Sequence, residues 1–190
     1  MSEDNFLKTL KLLEASFTST DTNNIQEIQN QLDALSQNKE EYINNLLKAL
    51  SIDIYNNFNI SLNLHKSIAI YLKNFAFSKL LKSNKEEILN FLNSLLDVMF
   101  NSGQEHLINP SISQILNDII NKIISTNEFL NDNQNLTNLL NLLINEMKKT
   151  EKIIMKSNIV ISLLNTLISG KCINGENLES FIYQFTNNKL

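Results

Sequence analysis

Asn109-Pro110-Ser111-Ile112-Ser113-Gln114-Ile115-Leu116-Asn117-Asp118-Ile119-Ile120-Asn121-Lys122-Ile123-Ile124 is the stretch that decides the fold. An asparagine that can cap a helix precedes a proline at the first helical position, where the missing N–H costs nothing and the fixed φ already suits the helix. From there Ile112, Ile115, Leu116, Ile119, Ile120, Ile123 and Ile124 recur every three or four residues, which lines one face of a helix and predicts that this face is buried. Immediately upstream, Ser83-Asn84-Lys85-Glu86 reads as a capping box, with Ser83 as the cap and Glu86 three residues on, ahead of Ile88, Leu92, Leu95, Leu96 and Met99.

The same rhythm extends outward in both directions. The segment 61–81 is apolar at Leu64, Ile68, Leu72 and Phe75, with Ala69 and Ala76 small enough to admit a close neighbour, and is expected to be the most buried helix of the first half. Before it, 39–51 carries Tyr42, Ile43, Leu46, Leu47 and Leu50 on a wide stripe, and a loop is expected at Asn56-Asn57-Phe58-Asn59. The segment 23–36 has a narrower stripe of Ile25, Ile28, Leu32 and Leu35, flanked by Gln26, Glu27, Gln29 and Asp33. Phe6, Leu10, Leu13 and Phe17 mark a first helix, ended by Thr18-Ser19-Thr20-Asp21-Thr22. Downstream, 136–149 and 151–169 read as two more helices, the second stopped by Gly170, with a weaker amphipathic segment at Leu178, Phe181, Ile182 and Phe185.

About eight or nine helices with short polar connections give helix pairs at a period of roughly forty to forty-five residues. The fold class expected is therefore all-α, a right-handed α-α superhelix of HEAT-like, ARM-like helix pairs with about four repeats. The repetition is structural, since residue identity does not recur cleanly, and a compact helical bundle is the competing arrangement.

Composition narrows the function classes. The 190 residues are 43% hydrophobic with a net charge of −4 and a pI near 5.2, enough apolar material for a sizeable core. Only three Gly and one Pro are present, too few for sheet turns or phosphate-cradling loops. Roughly a sixth of the chain is Asn and every basic residue is Lys, as in a composition driven by coding bias, so most Asn side chains are solvated helix filler. With no basic stripe, a nucleic-acid surface is not expected; Lys148, Lys149 and Lys152 read as the basic end of a helix. No apolar run reaches spanning length, because Asn165 and Thr166 follow Ile159 to Leu164, so no membrane insertion is expected. Met1-Ser2-Glu3-Asp4 does not look like a secretory leader, and the single Cys172 has no internal partner for a disulfide, as in a reducing compartment.

Few residues suggest chemistry. His65, His106 and Cys172 are too few and too far apart for a structural zinc site, so neither a metal nor another cofactor is expected. Glu105-His106 lies in a predicted loop with no nucleophile or glycine-rich turn near it in sequence, and no enzymatic activity is expected. The paired carboxylates Glu40-Glu41 and Glu86-Glu87 stand at helix starts, where they meet the positive end of the helix dipole. Phe91, Phe100 and Phe129 are read as core or inter-repeat contacts.

Part of the chain resembles a known family. Leu12-Leu13-Glu14-Ala15-Ser16-Phe17-Thr18-Ser19-Thr20-Asp21 is similar to an opening helix running into a Ser/Thr/Asp turn, and Gln31-Leu32-Asp33-Ala34-Leu35 and Tyr42-Ile43-Asn44-Asn45-Leu46-Leu47 fall where that family carries amphipathic and apolar-aromatic segments. Leu64-His65-Lys66-Ser67-Ile68-Ala69-Ile70-Tyr71-Leu72-Lys73-Asn74 resembles the signature of the importin-β (karyopherin) N-terminal domain, departing at His65, where Arg is usual, at Lys66, where Gln is usual, and at Ile68, where Ala is. The likeness covers residues 1–82, and 83–190 are expected to continue as further HEAT-like repeats. It implies a nuclear transport receptor, or a fragment of one, that binds the small GTPase Ran in its GTP form and shuttles between cytoplasm and nucleus. Cargo on the inner surface and Phe-Gly nucleoporins on the outer helices would be its other partners. On this resemblance Lys66, Lys73 and Asn74 are the residues expected to face the GTPase. The alternative is a helical-repeat scaffold in a complex unrelated to transport.

Overall fold

A computed structural model describes residues 3–51, 60–101, 110–126, 133–148, 160–165, 167, 168, 179 and 183, and among these the chain is all-helical, without a strand. Seven α-helices run in order: α1 (Glu3–Thr18), α2 (Thr22–Leu35), α3 (Lys39–Ala49), α4 (Leu62–Ser78), α5 (Lys85–Asn101), α6 (Pro110–Thr126) and α7 (Asn133–Lys148). A 3-10 turn, Leu80–Lys82, stands between α4 and α5. Residues 160–165 and 167–168 are also helical and bury Val160, Leu163 and Leu167. The loop expected at 56–59, the stop at Gly170 and the cap at Asn109 lie outside the described residues, as does most of the last amphipathic segment.

Local chemistry explains where helices begin. Asp21 caps α2 by accepting from the Asn23 N–H, and the Ser61 hydroxyl caps α4 by accepting from the Leu64 N–H. The α3 start is a reciprocal box: Asn38 Oδ1 accepts from the Glu41 N–H at 3.3 Å while Asn38 Nδ2 donates to Glu41 Oε2 at 3.0 Å. The α5 start corrects the sequence reading by one residue. Asn84, not Ser83, accepts from the Glu87 N–H at 2.9 Å and donates to Glu87 Oε1 at 2.8 Å, so the box pairs Asn84 with Glu87 rather than Ser83 with Glu86. Ser83 is engaged elsewhere, its N–H on the Leu80 carbonyl and its hydroxyl accepting from Lys39 Nζ. Nor does one helix run over 61–81: it ends at Ser78, and the chain tightens into the 3-10 turn that seats Leu80 in the core.

Those two boxes expose a repetition that the spacing of apolar residues alone does not show. Asn38-Lys39-Glu40-Glu41 recurs unchanged as Asn84-Lys85-Glu86-Glu87, at the starts of α3 and α5. Both boxes are followed by helices whose apolar faces, Tyr42, Leu46, Leu47 and Leu50 in one and Ile88, Leu92, Leu95 and Leu96 in the other, are buried.

Several of these helices pack against one another. Helices α1 and α2 pack as a pair, as do α3 and α4; α1 packs on α3, α3 on α5 and α4 on α6, and α1 also reaches α4. Polar ties fix the relative direction of two of these helices. Tyr71 Oη donates to Gln29 Oε1 across 42 residues of sequence, and Lys79 Nζ donates to Ser36 Oγ across 43. Two contacts at nearly the same separation, seven or eight residues apart along each helix, require α2 and α4 to run parallel, since an antiparallel pair would change the separation by twice that step. On the odd helices, Asn5 Nδ2 donates to Glu41 Oε1 and Lys39 Nζ to Ser83 Oγ, joining start to start. Helix α4 sits at the middle of this arrangement and buries Leu64, His65, Ser67, Ile68, Ala69, Leu72, Phe75 and Ala76, as its wide apolar face predicts. The buried residues form one connected cluster from Phe6 to Leu167.

Candidate interaction surface

Helix α4 has to be buried on one side and presented on the other. Its period places Lys66, Ile70, Lys73, Asn74 and Phe77 within one outward stripe, opposite Ile68, Leu72 and Phe75. Ile70 stands at the centre of that stripe and is 45% exposed, and Asn74 beside it is exposed. Tyr71, on one flank, reaches α2 through Gln29, and Lys73, on the other, reaches α6. The stripe is therefore a shallow strip of one isoleucine and amide and ammonium groups, framed by the two neighbouring even helices.

The three residues expected to face a partner all lie on α4. Lys66 is half-buried and forms no ion pair with any described residue. Lys73 donates from Nζ to Asp118 Oδ2 at 2.7 Å, both side chains retaining about a third of their exposure, 30% and 35%. The same ammonium lies 5.6 Å from the centre of the Phe77 ring. Asp118 also accepts from Gln114 Nε2 at its other oxygen, 2.9 Å away. The hydrogen bond from Lys73, ahead of that from Gln114, holds the Asp118 carboxyl below the ordinary aspartate range against a weaker opposing effect of burial. The structure thus brings Lys66, Lys73 and Asn74 to one face, but commits Lys73 to its own chain.

His65, at the position where the resembling family carries an arginine, is 0% exposed on the core side of α4 and offers nothing to a surface partner. Glu105, His106, Cys172 and Phe129 lie outside the described residues. Phe91 and Phe100 are core residues, and Glu40-Glu41 and Glu86-Glu87 occupy first helical turns.

Two structural features escape the sequence reading. Asp118 lies beyond the region of resemblance, and its connection to Lys73 becomes legible only by looking 45 residues on for the opposite charge. The second is a cleft of about 470 Å³ between α3 and α5, lined by the apolar Ile43, Leu80 and Phe91 together with the polar Asn44, Asn90 and Ser94 and the charged Lys39, Glu40 and Glu87. Both helices contribute because their shared box starts them in register.

Compared with family models, with curated proteins and with solved structures, the chain finds no match in any of the three.

Proposed function

We propose that this chain is a helical-repeat binding module of the importin-β type, a right-handed stack of HEAT-like pairs that holds the GTP form of Ran on its even helices and takes part in nucleocytoplasmic protein transport. The observation that carries the reading is the recurrence of one capping box, Asn38–Glu41 and Asn84–Glu87, with α2 and α4 parallel and tied at separations of 42 and 43 residues and α4 tied to α6 at 45. That register is what a stack of pairs needs, because each pair hides its apolar side only against the next and leaves a long flank free for a partner. The signature helix contributes the exposed stripe of that flank, with Ile70 at its centre and Lys66, Lys73 and Asn74 around it. An apolar anchor within a polar surround is the usual anatomy of a protein contact. No chemistry is assigned to the chain; it works by binding, in cytoplasm and nucleus.

On this reading α1, α3 and α5 form the outer layer, and the cleft between α3 and α5 suits a single phenyl side chain against Ile43, Leu80 and Phe91, as contact with Phe-Gly nucleoporins requires. Cargo would occupy the inner flank farther along the stack.

The test is equilibrium binding of the purified chain to Ran loaded with GTP or with GDP. A clear preference for the GTP form, weakened about ten-fold or more by Ile70→Asp with no loss of fold, is the expected result. Equal binding to both forms, or none, overturns it.

One observation favours a second reading, a helical-repeat scaffold in a complex unrelated to transport: Lys73, a principal charge for an acidic partner, is already paired with Asp118. Co-purification with a stable assembly outside the transport machinery, together with no GTPase binding, is the result that would select it.

A further inference from the structure

The geometry points to Asp118 as a built-in competitor for the partner of Lys73: its carboxylate occupies the ammonium that the α4 stripe would otherwise present, and an acidic partner has to displace it to bind. This rests on the assignment of the stripe as a binding surface and adds its regulation. Lys73 and Asp118 belong to helices in neighbouring pairs, so the contact is not an accident of adjacent sequence. Their 2.7 Å separation is that of a charge-assisted hydrogen bond. Gln114, one turn before Asp118 on α6, donates to the second carboxylate oxygen and fixes the group in position rather than leaving it to sample rotamers. Phe77 stands 5.6 Å from the same ammonium and limits where it can swing.

Displacement is within reach because the pair is shallow. With about a third of each side chain still in water, an ion pair of this kind is held weakly, and an incoming carboxylate can exchange with Asp118 without burying an unpaired charge. The closed pair therefore lowers affinity by a modest factor and leaves Lys66, half-buried and without an ion pair among the described residues, as the standing cation on the stripe. Opening it adds a second one. A partner with two carboxylates spaced to meet Lys66 and Lys73 engages both, whereas one with a single carboxylate meets only Lys66, so the pair sets specificity as well as strength.

The experiment compares wild type, Asp118→Asn, Lys73→Met and the double variant. Asparagine at position 118 keeps an oxygen for Gln114 and so preserves the fold of α6. Affinity for GTP-loaded Ran is expected to rise about two- to five-fold in Asp118→Asn, with most of the gain absent when Lys73 is Met. An equal gain in both backgrounds would reflect only the loss of one negative charge and overturns the inference, as does no gain. A second readout needs no GTPase. Acylation of lysines by a succinimidyl ester, followed by peptide mass spectrometry, is expected to proceed about two-fold or more faster at Lys73 in Asp118→Asn, with Lys66 unchanged as the internal standard. Unchanged labelling of Lys73 overturns the inference. Faster labelling without binding to Ran in either nucleotide state upholds the masking of Lys73 while removing Ran as the partner.

Discussion

Leu72→Ala separates a stack of helix pairs from a bundle around a single centre. Leu72 is 0% exposed, at the middle of α4, and α4 packs against α1, α3 and α6. Removing three carbon groups from a site of that kind forfeits about 2.4 kcal/mol of transfer free energy at about 0.8 per buried methylene. The cavity left behind raises the loss to about 3 to 5 kcal/mol, because α4 is held on several sides and cannot collapse inward. For a chain of this length the midpoint of thermal unfolding should fall by about 6 to 20 °C. The decisive measurement is amide hydrogen exchange resolved along the chain. In a stack, where each pair is stabilised by its neighbours alone, protection should drop steeply in α3 and α4, less in α1 and α6, and little in α7. If protection falls by the same amount in α7 as in α4, the molecule opens as one unit around a shared centre, and the reasoning from nearest-neighbour packing is refuted.

Three further outcomes follow from particular contacts. Asn84→Ala should lower stability by about 1 kcal/mol in chemical denaturation while Ser83→Ala lowers it less, since the reciprocal box at α5 is made by Asn84 and Glu87; a larger loss at Ser83 would restore the cap to that residue. Burial, then the nearby Tyr71 and Asp33, pushes the Tyr42 phenol well above its ordinary value of 10.0. Because the folded-state value is the higher one, its contribution is complete below the unfolded value and declines as pH rises beyond about 10. Absorbance titration of the four tyrosines should accordingly show one that ionises only as the chain unfolds, and Tyr42→Phe should remove that component. Asp118 has the opposite sign. Its folded-state value lies below the ordinary 3.8, so the Lys73 tie contributes above that value and is lost as the pH drops through the lowered one. With both groups about a third exposed, the effect is discounted to about 0.5 kcal/mol, and Lys73→Met should remove most of the difference between pH 6 and pH 2.5 that Asp118 contributes, leaving the smaller part due to Gln114.

Much of the fold was open to reading because burial imposes a period on the sequence. The isoleucines of α6 and the leucines of α5 announce their helices whatever they pack against. The places where reading failed are those where a side chain had two competing uses. Ser83 and Asn84 are both good caps, and Asn84 takes the role while the Ser83 hydroxyl accepts from Lys39 at the start of α3. The end of α4 was misplaced for a related reason: Leu80 and Leu81 continue the apolar spacing, but the chain must turn after Ser78 to bring Asn84 to the next helix start, and a 3-10 turn does this while keeping Leu80 buried.

The exposed stripe of α4 was harder to read for a reason rooted in the same register. Lys66, Ile70, Lys73 and Asn74 can be placed on one stripe from helical spacing alone, but what each can do depends on residues one structural period away, whose separation in sequence hides their proximity in space. Two signals bear on this and neither is a motif. One is the exact return of Asn-Lys-Glu-Glu at 38–41 and 84–87, which fixes the period and with it the offset at which partners should be sought. The other is Asp118, 45 residues after Lys73 and opposite in charge. Applied together they turn a list of surface lysines into two different kinds: Lys66, which no described carboxylate neutralises, and Lys73, which is paired with Asp118. The surface chemistry of α4 is thus written partly in α6, the helix that follows it by two, and the charge of Lys73 is understood only with the Asp118 carboxylate beside it.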